Sequence, residues 1–118
     1  MKKTTGLEHF IKSIVYSLKG LKSTIQHESA FRHELVVCCI LFPLAFHFAQ
    51  SKIEFVLMIG SLLLVLVTEL LNSAIEVVVD RIGTEYHELS GRAKDQGSAA
   101  VFVAIILALF TWGVILFC

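Results

Sequence analysis

Glu69, Asn72, Ser73, Glu76 and Asp80 follow directly on the apolar run at residues 55–68. If the helix continues, offsets of three, four, seven and eleven at 100° per residue keep the other four within roughly 60° of Glu69, on one side of the helix. Acids that enter a helix of membrane-grade hydrophobicity are expensive, at about 2.5 to 3.5 kcal/mol for a charge at the bilayer centre, and are normally retained for function. The stripe is therefore the expected active site. Glu69 and Glu76 share its face but stand about 10.5 Å apart along the axis, too far to grip one atom and well spaced to hold opposite ends of a reacting assembly.

A hard divalent cation such as Mg²⁺ takes one or two carboxylates plus phosphate oxygens instead of a full protein cage. Glu76 is one candidate. Glu28, at the junction of two helical segments on the same level, is the other, although it could equally pair with Arg32 four residues on. Lys94 is expected in the first turn of a helix opening at Gly91, where the dipole disfavours a cation and a bound polyphosphate relieves the clash. Asp95 beside it is either a metal or ribose partner or a residue that favours the helix start. His87 is read as solvated or in contact with a nucleotide base. No G-x-x-x-x-G-K-[ST], G-x-G-x-x-G or H-R-D sequence is present, so a nucleotide would bind through helix ends. These pieces suggest phosphoryl transfer at a membrane surface, which needs positioning, a metal on the β- and γ-phosphates and a base for the acceptor hydroxyl. Glu69, at the lipid level, is the expected base, because a partly desolvated carboxylate is a stronger proton acceptor.

The elements that must position these groups are helical. Of 118 residues 56% are hydrophobic and one is proline, which indicates a single all-α, membrane-resident domain over residues 1–118. Residues 99–118 carry no charge and give about 30 Å of helix, enough to cross a hydrocarbon core. The expected elements are a surface helix at about 7–26 and transmembrane helices at about 29–49, 53–82 and 91–117. In the first, Leu7, Phe10, Ile11, Ile14, Val15, Leu18, Leu21 and Ile25 recur at helical steps opposite His9, Lys12, Tyr16, Lys19 and Ser23, the pattern of an interfacial amphipathic helix. Tyr16, between two lysines, leaves room for an anion or nucleotide. The 53–82 helix is about 45 Å long, so its polar stripe must lie at and beyond one membrane interface. Gly83 is expected to end it and Ser90 to cap the next helix. There the small residues Ala93, Gly97, Ala100, Ala104 and Ala108 form a ridge for close helix approach. Pro43 is expected to make a local kink.

Lys2, Lys3, Lys12, Lys19, Lys22, Arg32, Arg81, Arg92 and Lys94 fall on one side of the predicted spans and only Lys52 in the opposite loop. The positive-inside rule puts the N-terminus and the 81–94 loop in the cytoplasm and Cys118 on the far side. The N-terminal segment lacks a cleavage pattern and is read as retained. A formal net charge of zero gives no case for nucleic-acid binding. Cys38, Cys39 and Cys118 show no metal or disulfide spacing and are read as packing residues.

ELLNSAIEVVVDRIG at 69–83 and EYHELSGRAKDQGSAAV at 85–101, with TTG, KGLK, ESAFRHE and FTW elsewhere, closely resemble the prokaryotic diacylglycerol kinase family of small integral-membrane lipid kinases. The resemblance implies a homotrimer of four-helix subunits, three helices transmembrane, with active sites shared between neighbours; residue spacing alone gives no trimer. It implies Glu69 as catalytic base with Asn72 beside it, and Glu28 and Glu76 as Mg²⁺ carboxylates. It places ATP against His9, Tyr16, Glu28, Glu76, Glu85, Tyr86, His87, Lys94 and Asp95. Diacylglycerol would lie against Phe31, Arg32, Glu34, Ser98 and Trp112, its hydroxyl toward Glu69. The chain departs from the family pattern at His9, where arginine is common, at Leu18 and His47, where tryptophan is familiar, and at Gln96. The implied product is phosphatidic acid and the implied location the bacterial inner membrane, with a periplasmic C-terminus. Undecaprenol kinase, on the same scaffold, is the nearest alternative. A non-enzymatic channel or transporter subunit would spread polar residues through the span depth, whereas here they crowd toward one face.

Overall fold

The computed structural model describes residues 6–118; Lys2 and Lys3, used in the charge count, and the threonines of TTG lie outside them. Four helices follow in order: α1 (Gly6–His27), α2 (Ser29–Phe48), α3 (Lys52–Ile82) and α4 (Glu88–Phe117). Three of them, α2, α3 and α4, are long and apolar enough to cross a membrane. α3 packs against each of the others, most extensively against α4. It also carries most of the buried residues, with Met58, Leu62, Val65 and Val79 as its apolar contacts and Ser61, Glu69, Asn72 and Ser73 as its polar ones.

The helix ends explain the boundaries. Ser51 caps α3: its side chain accepts from the Glu54 N–H at 3.1 Å, and Glu54 Oε1 accepts from the Gln50 N–H, also at 3.1 Å. This reciprocal pair satisfies two amide donors where the chain turns between membrane-length helices. At the α1–α2 junction, Arg32 Nη1 donates to the carbonyls of Ile25 at 2.7 Å and Gln26 at 3.2 Å. A cation on the unpaired carbonyls of a helix C-terminus is favourable, and it holds the end of α1 against the start of α2. Arg32 therefore does not form the alternative pair with Glu28. Helix α2 continues through Pro43 to Phe48.

Two expectations are corrected at α4. The helix begins at Glu88, not Gly91, and its cap is His87, whose side chain accepts from the Leu89 N–H, in place of Ser90. Imidazole Nδ1 competes for the free amide as a hydroxyl would, and it reaches it three residues earlier. The expected small-residue ridge is met at Gly97 and Ala104, which are buried, and at Ala93 and Ala108, which are half-buried, and departs at one position. Gly97, Val101 and Ala104 face the protein, while Ala100 is exposed, because a four-then-three step through Val101 tracks α3 better than the alanine at 100. Trp112 pins the far end of α4, donating its Nε1–H to the Met58 carbonyl at 3.2 Å.

Removing the α3 cap should be measurable. Ser51→Ala is expected to lower stability by about 1 kcal/mol while Ser51→Asp retains it, read from thermal unfolding in detergent micelles.

Candidate functional site

Glu69 opens the polar stripe at its apolar end and is only 6% exposed, although it lies in a helix bounded by lipid-grade surface. Its position on α3 points it at α2, where its carboxyl group lies against that of Glu34. Glu28, at the α1–α2 junction, and Glu76, two turns along α3, both lie within electrostatic reach of it. Acids from three places in the sequence thus converge on one locus, and a concentration of like charge in a poorly hydrated site is stable only with counter-charge, a shared proton or hydrogen-bond donors. One donor is Asn72, 8% exposed, whose Nδ2 reaches Glu76 Oε1 at 3.0 Å. Glu34 Oε2, Asn72 Oδ1 and Ser73 Oγ are buried without a hydrogen-bond partner.

Glu28 caps α2 by backbone position alone, with no side-chain cap bond, which leaves its carboxylate free for other use. It lines a groove of about 700 Å³ between α1 and α3 together with Ser73, Thr24 and His27. The donor chemistry suits a hard cation: the Glu28 carboxylate stands with the Ser73 and Thr24 hydroxyls in a groove with open space for phosphate oxygens and water, and Glu76 lies outside that lining. Among the described residues no three acidic, histidine or cysteine side chains form a metal cage by themselves. Magnesium held jointly with a polyphosphate needs no more than one or two carboxylates.

A second group assembles at the turn between α3 and α4. Asp80, Glu85, Tyr86, His87 and Lys94 line a recess of about 290 Å³. Lys94 sits about two turns into α4 because that helix starts early, so the predicted first-turn position and its use of free helix amides do not hold. Its charge is met instead by Asp80, Nζ to Oδ1 at 2.9 Å, with Glu76 also in electrostatic reach. With Nδ1 of His87 accepting from the Leu89 amide, Nε2 is left as the donor nitrogen of a ring that lines the recess. Asp95 is exposed next to Lys94, and it does not line the recess. His9 and Tyr16 lie on the exposed surface of α1; Lys19 approaches the Tyr16 ring at 6.0 Å.

Of the expected lipid contacts, Glu34 and Trp112 share one groove of about 440 Å³, with His33, Val37, Cys38, Leu41, Leu62, Val65, Ile105, Ala108 and Leu109. That groove has an acidic end at Glu34, beside Glu69, and an apolar body. Phe31 is 2% exposed and fills packing space. Arg32 is engaged with α1, and Ser98 is exposed outside the groove. The Glu34–Glu69 contact and the Asp80–Lys94 pair were not anticipated. Each joins residues on different helices, and only the pairing of opposite charge at 80 and 94 left any signal in the sequence.

Comparison with known proteins follows the same lines. The prokaryotic diacylglycerol kinase family model matches residues 15–116. The chain belongs to that family. It is 63% identical over 117 residues to the diacylglycerol kinase of Haemophilus influenzae, with 99% of each chain covered. To that of Escherichia coli K12 it is 53% identical over 113 residues, covering 96% of this chain and 93% of the relative. The diacylglycerol kinase of Pseudomonas aeruginosa is 46% identical over 112 residues, with 95% and 91% covered. Membership of the prokaryotic diacylglycerol kinase family makes this chain an enzyme of the transferase class.

The Asn72–Glu76 hydrogen bond predicts an unusual ranking. Asn72→Asp, nearly isosteric, removes the donor and adds an acid among acids, and is expected to cost about 2 to 4 kcal/mol of stability. The larger change in shape, Asn72→Ala, is expected to cost only about 1 to 2 kcal/mol, with both measured by unfolding in detergent.

Proposed function

We propose that this chain transfers the γ-phosphoryl group of ATP to the free hydroxyl of membrane diacylglycerol, giving phosphatidic acid and ADP. The observation that carries the reading is the placement of Glu76 within electrostatic reach of both Glu69 and Lys94, which links an acid at the lipid groove to a cation at the polar recess. The acceptor lipid lies with its chains in the Glu34–Trp112 groove and its hydroxyl toward Glu69. Phe31, Arg32 and Ser98 border that end of the molecule. Glu69 accepts the hydroxyl proton as the oxygen attacks the γ-phosphorus and ADP departs. Asn72 holds Glu76 in place.

ATP is held by the Glu85–His87 turn, Lys94 and Asp95, with His9 and Tyr16 closing from α1. Glu28 and Glu76 are the carboxylates that hold Mg²⁺. When bound, the ion neutralises charge on the phosphates. Lys94 meets the polyphosphate by exchanging its Asp80 partner for phosphate oxygens, and the His87 Nε2–H adds a neutral donor beside it.

Helix α1 lies on the cytoplasmic surface of the bacterial inner membrane with its apolar residues toward lipid, and α2, α3 and α4 cross, leaving the C-terminus periplasmic. Three copies assemble with composite sites. Supporting this, α4 leaves most of its apolar surface uncovered within one chain, while Glu28 and the Lys94 recess open outward from it.

Glu69→Gln is expected to fold and retain lipid and nucleotide binding but to fall to about 1% of turnover or below, in a micellar assay with Mg-ATP. Full turnover by that variant would remove the base assignment. Offered diacylglycerol and undecaprenol together, the enzyme is expected to phosphorylate diacylglycerol preferentially; the reverse preference would reassign it to the polyprenol. In a cysteine-free background, Lys52→Cys is expected to react with an impermeant maleimide on intact spheroplasts and Arg92→Cys only after lysis.

A further inference from the structure

Among the described glycines, one faces a functional side chain at a distance no side chain could fill. A Cβ on Gly97 of α4 would overlap Asn72 Oδ1 and stand 3.4 Å from both Asn72 Cγ and Ile75 Cδ1. At Gly20, Gly60 and Gly113 the same atom meets nothing within 4 Å. Gly97 is itself buried. Its φ is not positive, so the requirement comes from the neighbour and not from the backbone.

The orientation of Asn72 follows from its partner. A carboxylate only accepts, so the end of the carboxamide facing Glu76 Oε1 must be Nδ2, and Oδ1 is thereby directed at the bare Cα of Gly97. Oδ1 has no hydrogen-bond partner, so no donor holds the amide in this rotamer from that side. What holds it is the carboxylate at one end and the absence of a side chain at the other. An added methyl forces the amide to turn away or α3 and α4 to separate, and either movement draws Nδ2 off Glu76.

We propose that Gly97 is a positioning residue of this site, whose missing side chain seats the Asn72 carboxamide against α4 so that it supports Glu76. The inference rests on the reading of Asn72 and Glu76 as parts of the site. Alanine is a better helix former than glycine, so a loss caused by adding a methyl at this position does not come from helix propensity.

The test uses the full chain in detergent micelles, as wild type, Gly97→Ala, Asn72→Ser and the double variant, with Gly113→Ala as control. Gly97→Ala is expected to lower kcat about tenfold or more with the KM for diacylglycerol changed less than about twofold, while Gly113→Ala changes neither. The Asn72 side-chain amide resonance, followed by ¹⁵N NMR without substrate, is expected to shift in Gly97→Ala and to stay in Gly113→Ala. An unmoved resonance or an unchanged kcat in Gly97→Ala overturns the proposal. Should Gly97→Ala not fold, the double variant decides, because serine at 72 leaves room for the methyl. A double variant that melts like Asn72→Ser supports the collision, and one that also misfolds places the methyl's clash elsewhere and overturns it. Full activity in Asn72→Ser would instead overturn the role of Asn72 itself, whatever Gly97→Ala does to the resonance.

Discussion

The structure depends on the burial of acidic side chains at the edge of a membrane-grade helix. Glu69 and Asn72 are buried on α3 and Glu76 is partly so, with Glu34 brought against Glu69 from α2. Neither lipid nor a dry protein interior solvates a carboxylate. The stripe is tolerated because helices on either side supply contacts and because it lies toward the end of α3 that leads into the polar turn before α4. On the proposed reading, carboxylates gathered in this way also attract a divalent cation, so part of the electrostatic cost borne by the protein alone is offset when a cation arrives with its phosphates.

Packing between α3 and α4 converts that constraint into geometry. In lipid, helix association draws on close packing and hydrogen bonds more than on exclusion of water. The buried side of α4 is accordingly built from Gly97, Val101 and Ala104, with Trp112 donating to the α3 backbone at the far end. Small residues bring the backbones together where Asn72 lies, and the indole fixes the axial register. The interface therefore serves two purposes at once. It holds the pair of long helices together, and it determines where a carboxamide on one of them can point.

The polar turn between those helices shows how a local choice propagates. Capping by His87 starts α4 at Glu88, and the added turn carries Lys94 away from the helix end to a place where Asp80 meets it. One imidazole thus sets a helix start, which sets the position of a lysine, which links the recess to Glu76. Arg32 performs a comparable task at the α1–α2 junction by binding the carbonyls that end α1. That contact leaves the Glu28 carboxylate unengaged by the arginine four residues away.

Much of this was written in the order of the residues. Three spans, their approximate limits, the acidic stripe and the Gly83 stop follow from hydropathy and a 3.6-residue period, which are properties of a single helix and its solvent. The family resemblance added the shared-site trimer, which residue spacing alone does not give, to roles for Glu28, Glu69 and Glu76 that the residue types had already suggested. Four features were decided only by the tertiary structure: the Glu34–Glu69 contact, the Asp80–Lys94 pair, the inward turn of Val101 in place of Ala100, and the fit of Asn72 to Gly97. Each depends on the distance and rotation between two helices, a relation that no periodicity within one helix can encode. His87 is the local exception, since a serine and a histidine were both within reach of the free amides. The helix began at the histidine because its ring nitrogen met one of them first.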